Sequence, residues 1–85
     1  MIINELNYDE NDWIGRECYL PTYLLGYEQE GVMYGLCRVA YIDEIMQTVY
    51  VLYTHPDDVG GEEGTATQRY AYIPKDEFAQ NAMWT

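Results

Sequence analysis

The chain has 85 residues and carries four Lys and Arg against fifteen Asp and Glu, a formal net charge of −11 at pH 7. A chain of this length is expected to fold as a single domain, residues 1–85, around one thin hydrophobic core. Its hydrophobic content of 48% argues against an intrinsically disordered chain. The charge argues against direct binding to nucleic acid, because carboxylates and phosphates repel each other and four basic residues displace few counterions.

The first third of the chain has a weak pattern. Residues 1–14 mix apolar and acidic side chains in neither the helical nor the strand period, and within them we predict a turn or a short helical turn over residues 7–12. Residues 16–25 are predicted to form a first strand, which Pro21 splits, bulges or confines to an edge. Residues 26–31 are predicted to form a polar turn.

Residues 32–54 carry the strongest strand signal, because Val, Ile, Thr and Tyr occupy twelve of the 23 positions. We predict two strands, 32–42 and 45–54, divided at Asp43 and Glu44. The first strand is apolar on both alternating faces, with Met33, Gly35, Cys37, Val39 and Tyr41 on one, and Val32, Tyr34, Leu36, Ala40 and Ile42 with Arg38 on the other. Such a strand is buried on both faces or shows one to a partner. A helix is the alternative, against which the β-branched residues argue.

The last third begins with a long loop over residues 55–67, which contains three Gly and one Pro. Residues 68–73 are predicted to form the last strand, and Pro74 to open a short helical turn over residues 75–80. The whole predicts a mainly β fold, a small strongly bent antiparallel sheet or SH3-like barrel of four to five strands with one short C-terminal helical turn. The order of elements over residues 15–80 is similar to that of SH3-like barrels, a likeness of architecture that assigns no family.

The sequence offers little material for catalysis or metal binding. It contains no Ser and one histidine, His55, while Cys18 and Cys37 lie on predicted strands and are expected to be free core thiols. Loop 57–63 lacks the alternating Asp ligands and terminal Glu of a calcium loop. We therefore predict no enzyme activity and no cofactor. No signal peptide or membrane span is apparent, so we expect a cytoplasmic protein.

Ten of the fifteen acids form neighbouring doublets in predicted turns, loops or a helix start, namely Asp9–Glu10, Asp43–Glu44, Asp57–Asp58, Glu62–Glu63 and Asp76–Glu77. Ordinary turn composition is one explanation. The other is that the rims of a small barrel present carboxylates where a basic groove expects phosphates. That explanation requires the surplus charge to lie in contiguous exposed patches.

The leading hypothesis is a non-enzymatic acidic protein-binding module, an inhibitor that docks on the basic nucleic-acid-binding surface of a DNA- or RNA-handling protein. Phage or mobile-element proteins of the anti-restriction or anti-CRISPR type act in this way, in the host cytoplasm. The predicted partner-binding residues are Asp57, Asp58, Glu62, Glu63, Asp43 and Glu44, with Tyr27 or Tyr53 as aromatic anchors. The alternative is a structural or accessory β-barrel subunit that docks through its apolar hairpin, including as a homodimer. A small-molecule or metal site in the barrel mouth is the third hypothesis.

Overall fold

The computed structural model describes residues 9–58 and 67–85. These form strands β1 (Glu17–Pro21), β2 (Tyr34–Asp43), β3 (Thr48–Thr54), β4 (Gln68–Pro74) and β5 (Met83–Trp84), helices α1 (Thr22–Leu25) and α2 (Lys75–Asn81), and 3-10 helices at Glu10–Asp12 and Pro56–Asp58. The predicted mainly β fold with a short C-terminal helix is confirmed. Within these ranges no helix could cross a membrane, since the longer α-helix has seven residues and a span needs about 20.

The five strands form one antiparallel sheet in the order β4-β3-β2-β1-β5. The first four make a meander, and β5 returns to pair with β1. Helix α1 follows β1 but contacts β4, and α2 follows β4 but contacts β1. In a flat sheet β1 and β4 would lie about 14 Å apart. The sheet is therefore strongly bent.

The core lies on one face of this bent sheet, and strict alternation along β3 explains why. Val49, Val51 and Tyr53 are buried, whereas the residues between them are only half-buried. Helix α2 closes the core with Phe78, which is fully buried and packs against Trp13 and Trp84 at ring-centroid distances of 4.9 and 5.7 Å. Burial of these side chains is the main stabilising contribution in a domain of this size.

A β-bulge at Ala40 changes the direction of the side chains at the end of β2. Val39 pairs with Val51 and Tyr41 pairs with Tyr50, so Ala40 has no partner in the ladder with β3. From this point Ile42 packs against the core, while Tyr41 is 54% exposed. The sequence-based assignment of Tyr41 to the face of Cys37 and Val39 is wrong, because the extra residue shifts the alternation by one.

The two cysteines face each other in the core. Cys18 pairs with Cys37 across β1 and β2, their sulfur atoms lie 3.6 Å apart, and both thiols are free and buried. This confirms the prediction of free core thiols. A hydrogen bond with Cys18, together with burial, raises the pKa of the Cys37 thiol well above its ordinary value.

Because both side chains are buried, and because only the thiolate is a good nucleophile and that of Cys37 is disfavoured, we expect both cysteines to resist alkylation while the protein is folded. Iodoacetamide at pH 8 should label neither thiol over a period that fully labels the protein in denaturant. Mass spectrometry of the intact protein counts the added groups. Equal labelling rates in the folded and denatured protein would show that the two thiols are accessible.

Candidate partner-binding surface

The face of the sheet that points away from the core carries a large aromatic and aliphatic surface. We call this surface the outer face; its members are Tyr19, Tyr34, Leu36, Arg38, Tyr41, Tyr50, Leu52, Tyr70, Tyr72 and Met83. Each alternates along its strand with a buried residue, apart from the shift at the bulge. Exposed Tyr, Met and Arg with few acids or lysines is the composition of the centre of a protein interface.

Three tyrosines cross the outer face in one row, which we call the tyrosine ladder. Tyr41 on β2, Tyr50 on β3 and Tyr72 on β4 are direct neighbours in the strand register. The rings of Tyr41 and Tyr50 meet edge to face at 5.5 Å, and those of Tyr50 and Tyr72 lie 4.8 Å apart. Such contacts hold aromatic rings in place, so the ladder presents ordered aromatic surface with Tyr72 67% exposed.

The adjoining row of the outer face is balanced in charge. Arg38 lies beside Leu52 in the register, and its guanidinium is 3.4 Å from the carboxylate of Glu17. A cavity of about 270 Å³ opens here, lined by Glu17, Leu36, Cys37, Arg38, Leu52, Tyr53, Thr54 and Gln68. The middle of the outer face thus carries no surplus charge, and the surplus lies towards the ends of the strands.

Three of the acidic doublets meet at one end of the sheet. The ammonium nitrogen of Lys75 lies 2.7 Å from Glu10 and 2.9 Å from Glu44, which joins the first 3-10 helix and the β2–β3 turn to the start of α2. We call the acids on these elements the acidic end: Asp9, Glu10, Asp12, Asp43, Glu44, Asp76 and Glu77. Seven carboxyl groups therefore lie on the elements that meet at one lysine.

The ion pairs at Lys75 shift the pKa values of Lys75 and Glu44. Hydrogen bonds with Glu10 and then Glu44 raise the pKa of the Lys75 ammonium group. The hydrogen bond from Lys75 lowers the pKa of Glu44 below its ordinary value. Both directions favour the charged forms at neutral pH. The ion pair between Lys75 and Glu44 therefore joins two charged groups.

The opposite end of the sheet holds Asp57 and Asp58, which the sequence analysis also predicted to bind the partner. Arg69 donates two hydrogen bonds to Asp58, at 2.6 and 2.9 Å, and this pairing lowers the pKa of the Asp58 carboxyl. Asp57 keeps 84% of its side chain exposed and lies 3.7 Å from the ring of His55. Since seven residues of β3 separate this end from the acidic end, the two are about 20 Å apart.

The predicted site residues thus fall into separate groups. Asp43 and Glu44 belong to the acidic end, where an Asp43 carboxylate oxygen also accepts hydrogen bonds from the backbone of the following turn. Asp57 and Asp58 lie at the opposite end. Glu62 and Glu63 lie outside the described residues.

The two predicted aromatic anchors are also placed differently from the expectation. Tyr53 is 6% exposed and belongs to the core, so its ring is not offered to a partner. Its alternation with Leu52 and Thr54 turns it inward, which corrects its proposed role. Tyr27 is half-buried, stacks on Tyr53 at 5.7 Å, and has a raised pKa because burial disfavours its ionised form. It is a support for the core rather than an exposed anchor.

The few basic residues are already engaged within the chain. Arg38, Arg69 and Lys75 form ion pairs with acids, and Arg16 donates a hydrogen bond to the backbone carbonyl of Asp12 at 2.8 Å. Four bases offset only a small part of fifteen acids. Over residues 9–58 and 67–85 no group of three or more His, Cys, Asp or Glu side chains is arranged to hold a metal ion. The uncompensated carboxylates are therefore open to a cationic partner.

Comparison with known protein families, with curated proteins and with solved structures finds no match to this chain.

Because like charges repel in the compact state, we expect added salt to stabilise the protein. The melting temperature should rise by about 4–8 °C between low and moderate ionic strength, equivalent to about 1 kcal/mol. Thermal melting followed by circular dichroism in sodium chloride measures this. A fall in melting temperature would mean that the ion pairs of Lys75 and Arg69 outweigh the repulsion.

Proposed function

We propose that the protein is a non-enzymatic, acidic protein-binding module that docks on a basic surface of another protein. The observation that carries the proposal is the surplus of carboxylates, since every Lys and Arg is engaged within the chain and most of the acids of residues 9–58 and 67–85 form no ion pair with them. A field of this sign steers a cationic partner towards the protein. Burial of both thiols, out of reach of a substrate, supports the non-enzymatic part.

The more specific form of the proposal is an inhibitor that occupies the nucleic-acid-binding surface of a DNA- or RNA-handling protein. Such surfaces are basic because they bind phosphates. A compact acidic domain meets the same charges with carboxylates and is of a size to block the groove. Phage or mobile-element proteins of the anti-restriction or anti-CRISPR type work in this way, in the host cytoplasm.

Affinity capture from the native or host cell, followed by salt elution, tests this proposal. The captured protein should be released between about 50 and about 300 mM salt, because exposed charges are screened over this range. Duplex DNA or RNA should compete for the same partner. An Asp76→Asn, Glu77→Gln variant should release the partner at lower salt, whereas Gln80→Ala on the same helix should not. Capture that is insensitive to salt and to nucleic acid would contradict the proposal.

The alternative function is an accessory β-barrel subunit that docks through the β2–β3 hairpin, including as a homodimer. It is supported by Ile45 and Met46 at the tip of this hairpin, which are 93% and 69% exposed. Sedimentation equilibrium discriminates between the two functions. A stable dimer, together with acid-to-amide variants that still capture the partner, would favour the accessory subunit.

A further inference from the structure

The outer face is a sheet face that no other part of the described chain covers, and several of its tyrosines are more than half exposed. Tyr41 on β2 is 54% exposed, and Tyr70 and Tyr72 on β4 are 57% and 67% exposed, with Tyr50 of β3 between the two strands. Contiguous exposed apolar surface of this kind marks a binding site. The remaining question is which partner chemistry the surface fits.

Position along the strands identifies the charge of the partner. On the outer face, the next row after the tyrosine ladder consists of Asp43, Thr48 and Pro74. Helix α2 begins at the residue after Pro74. The ladder therefore borders the acidic end. In the described part of the chain, Asp76 and Glu77 form no ion pair and are exposed. A partner that covers the ladder and reaches this edge of the sheet meets a surplus of negative charge, so a cationic partner fits it best.

The same charge disfavours a second copy of the chain. Each copy carries a net charge of −11, so stacking two outer faces would bring two negatively charged proteins together. Like charges facing each other across an interface suppress that pairing. The occupant that fits both the charge and the rings is a different, basic protein.

The rings distinguish arginine from lysine. A guanidinium is planar and weakly hydrated, stacks on an aromatic face, and donates paired hydrogen bonds to a carboxylate at the same time. A lysine ammonium is a compact, strongly hydrated charge and uses an aromatic face less well. A row of tyrosines beside uncompensated carboxylates offers both contacts that arginine requires.

We infer that the tyrosine ladder binds an arginine-rich surface of the partner protein, with guanidinium groups stacked on Tyr41 and Tyr72 and hydrogen-bonded to carboxylates of the acidic end. This inference rests on the proposed function, since it names the chemistry of the partner that the acidic module recognises. It places the specific contacts on the outer face, whereas the proposed function requires only the charge.

Octa-arginine and octa-lysine peptides, which carry equal charge, distinguish the arginine inference from the proposed function. We expect the full chain to bind octa-arginine about tenfold more tightly than octa-lysine in isothermal titration calorimetry at low salt. The Tyr41→Leu, Tyr72→Leu double variant should lose most of this preference and keep only the part that paired hydrogen bonds from arginine to carboxylates supply. Tyr23→Leu is the matched control: Tyr23 is 69% exposed but lies on α1, outside the outer face, and its loss should leave the preference unchanged.

Each result bears on one statement. Binding of neither peptide would overturn the proposed function and this inference with it. Equal binding of both peptides by the unmodified chain, or an arginine preference that is undiminished in the double variant, would overturn the inference and leave the proposed function standing. If the double variant does not fold, NMR shifts in the unmodified chain decide, since octa-arginine must perturb Tyr41, Tyr50 and Tyr72 more than Tyr23. Self-association that octa-arginine does not reverse would show that a second copy covers the face.

Discussion

Replacing Phe78 with alanine is expected to lower the free energy of unfolding by about 3–5 kcal/mol. The side chain is fully buried and contacts both core tryptophans, Trp13 and Trp84, so its removal leaves a cavity that rigid neighbours cannot fill. Helix α2 also depends on this contact, because a seven-residue helix is not stable by itself. A typical stability of about 0.05–0.15 kcal/mol per residue implies that this one substitution removes much of the total.

Urea unfolding followed by circular dichroism measures the loss. Gln80→Ala is the control, since Gln80 is exposed on the same helix and its replacement should change stability by no more than about 0.5 kcal/mol. A loss below about 1.5 kcal/mol for Phe78→Ala would mean that the two tryptophans close the gap and that α2 does not rely on the ring.

Gly35→Ala is expected to destabilise the protein by about 1–3 kcal/mol, although alanine is ordinarily the better residue in a strand. A Cβ atom at this position would lie 2.5 Å from the hydroxyl oxygen of Tyr27 and 2.8 Å from a methyl group of Leu25. Leu25 is 3% exposed and cannot move aside without disturbing the core. The entropy gain of about 0.4–1 kcal/mol from replacing glycine is smaller than this steric penalty.

A double-mutant cycle tests the origin of the penalty. Tyr27→Phe removes the nearest atom, so Gly35→Ala should destabilise the Tyr27→Phe background less than the unmodified chain. The residual penalty then belongs to Leu25. A Gly35→Ala variant that is more stable than the unmodified chain would show that β2 shifts freely away from α1.

The main strands were predictable because their local pattern agrees with their final environment. The β-branched residues and tyrosines of β2, β3 and β4 favour strands in any context. Helix α1 was missed, and residues 22–25 were assigned to the first strand. The Thr22 backbone amide donates a hydrogen bond to the Met33 carbonyl, and Gly26 ends the helix with a φ of 89°. The start of this helix therefore depends on a residue eleven positions further along the chain. Strand β5 was missed because two residues show no period.

The candidate site was predictable only in its composition. The acidic doublets are visible in the sequence, but their gathering around Lys75 joins residues that lie 31 and more positions apart. The tyrosine ladder depends on strand register and on the bulge at Ala40, neither of which alternation along a single strand reveals. Sequence reasoning therefore identified the acidic residues but not their arrangement, and it did not show that Tyr53 is buried whereas Tyr41 and Tyr72 are exposed.

The bulge at Ala40 lets the end of β2 change which side chains face inward without changing the rest of the strand. In a regular strand every change of phase exchanges all inward and outward side chains together. Here the inward set before the bulge can stay fixed while the segment that ends in Asp43 is shifted by one position. Loss of the extra residue at this point would turn Tyr41 inward and Ile42 outward, so the exposed surface at this end of the sheet would change while the buried residues before the bulge kept their places.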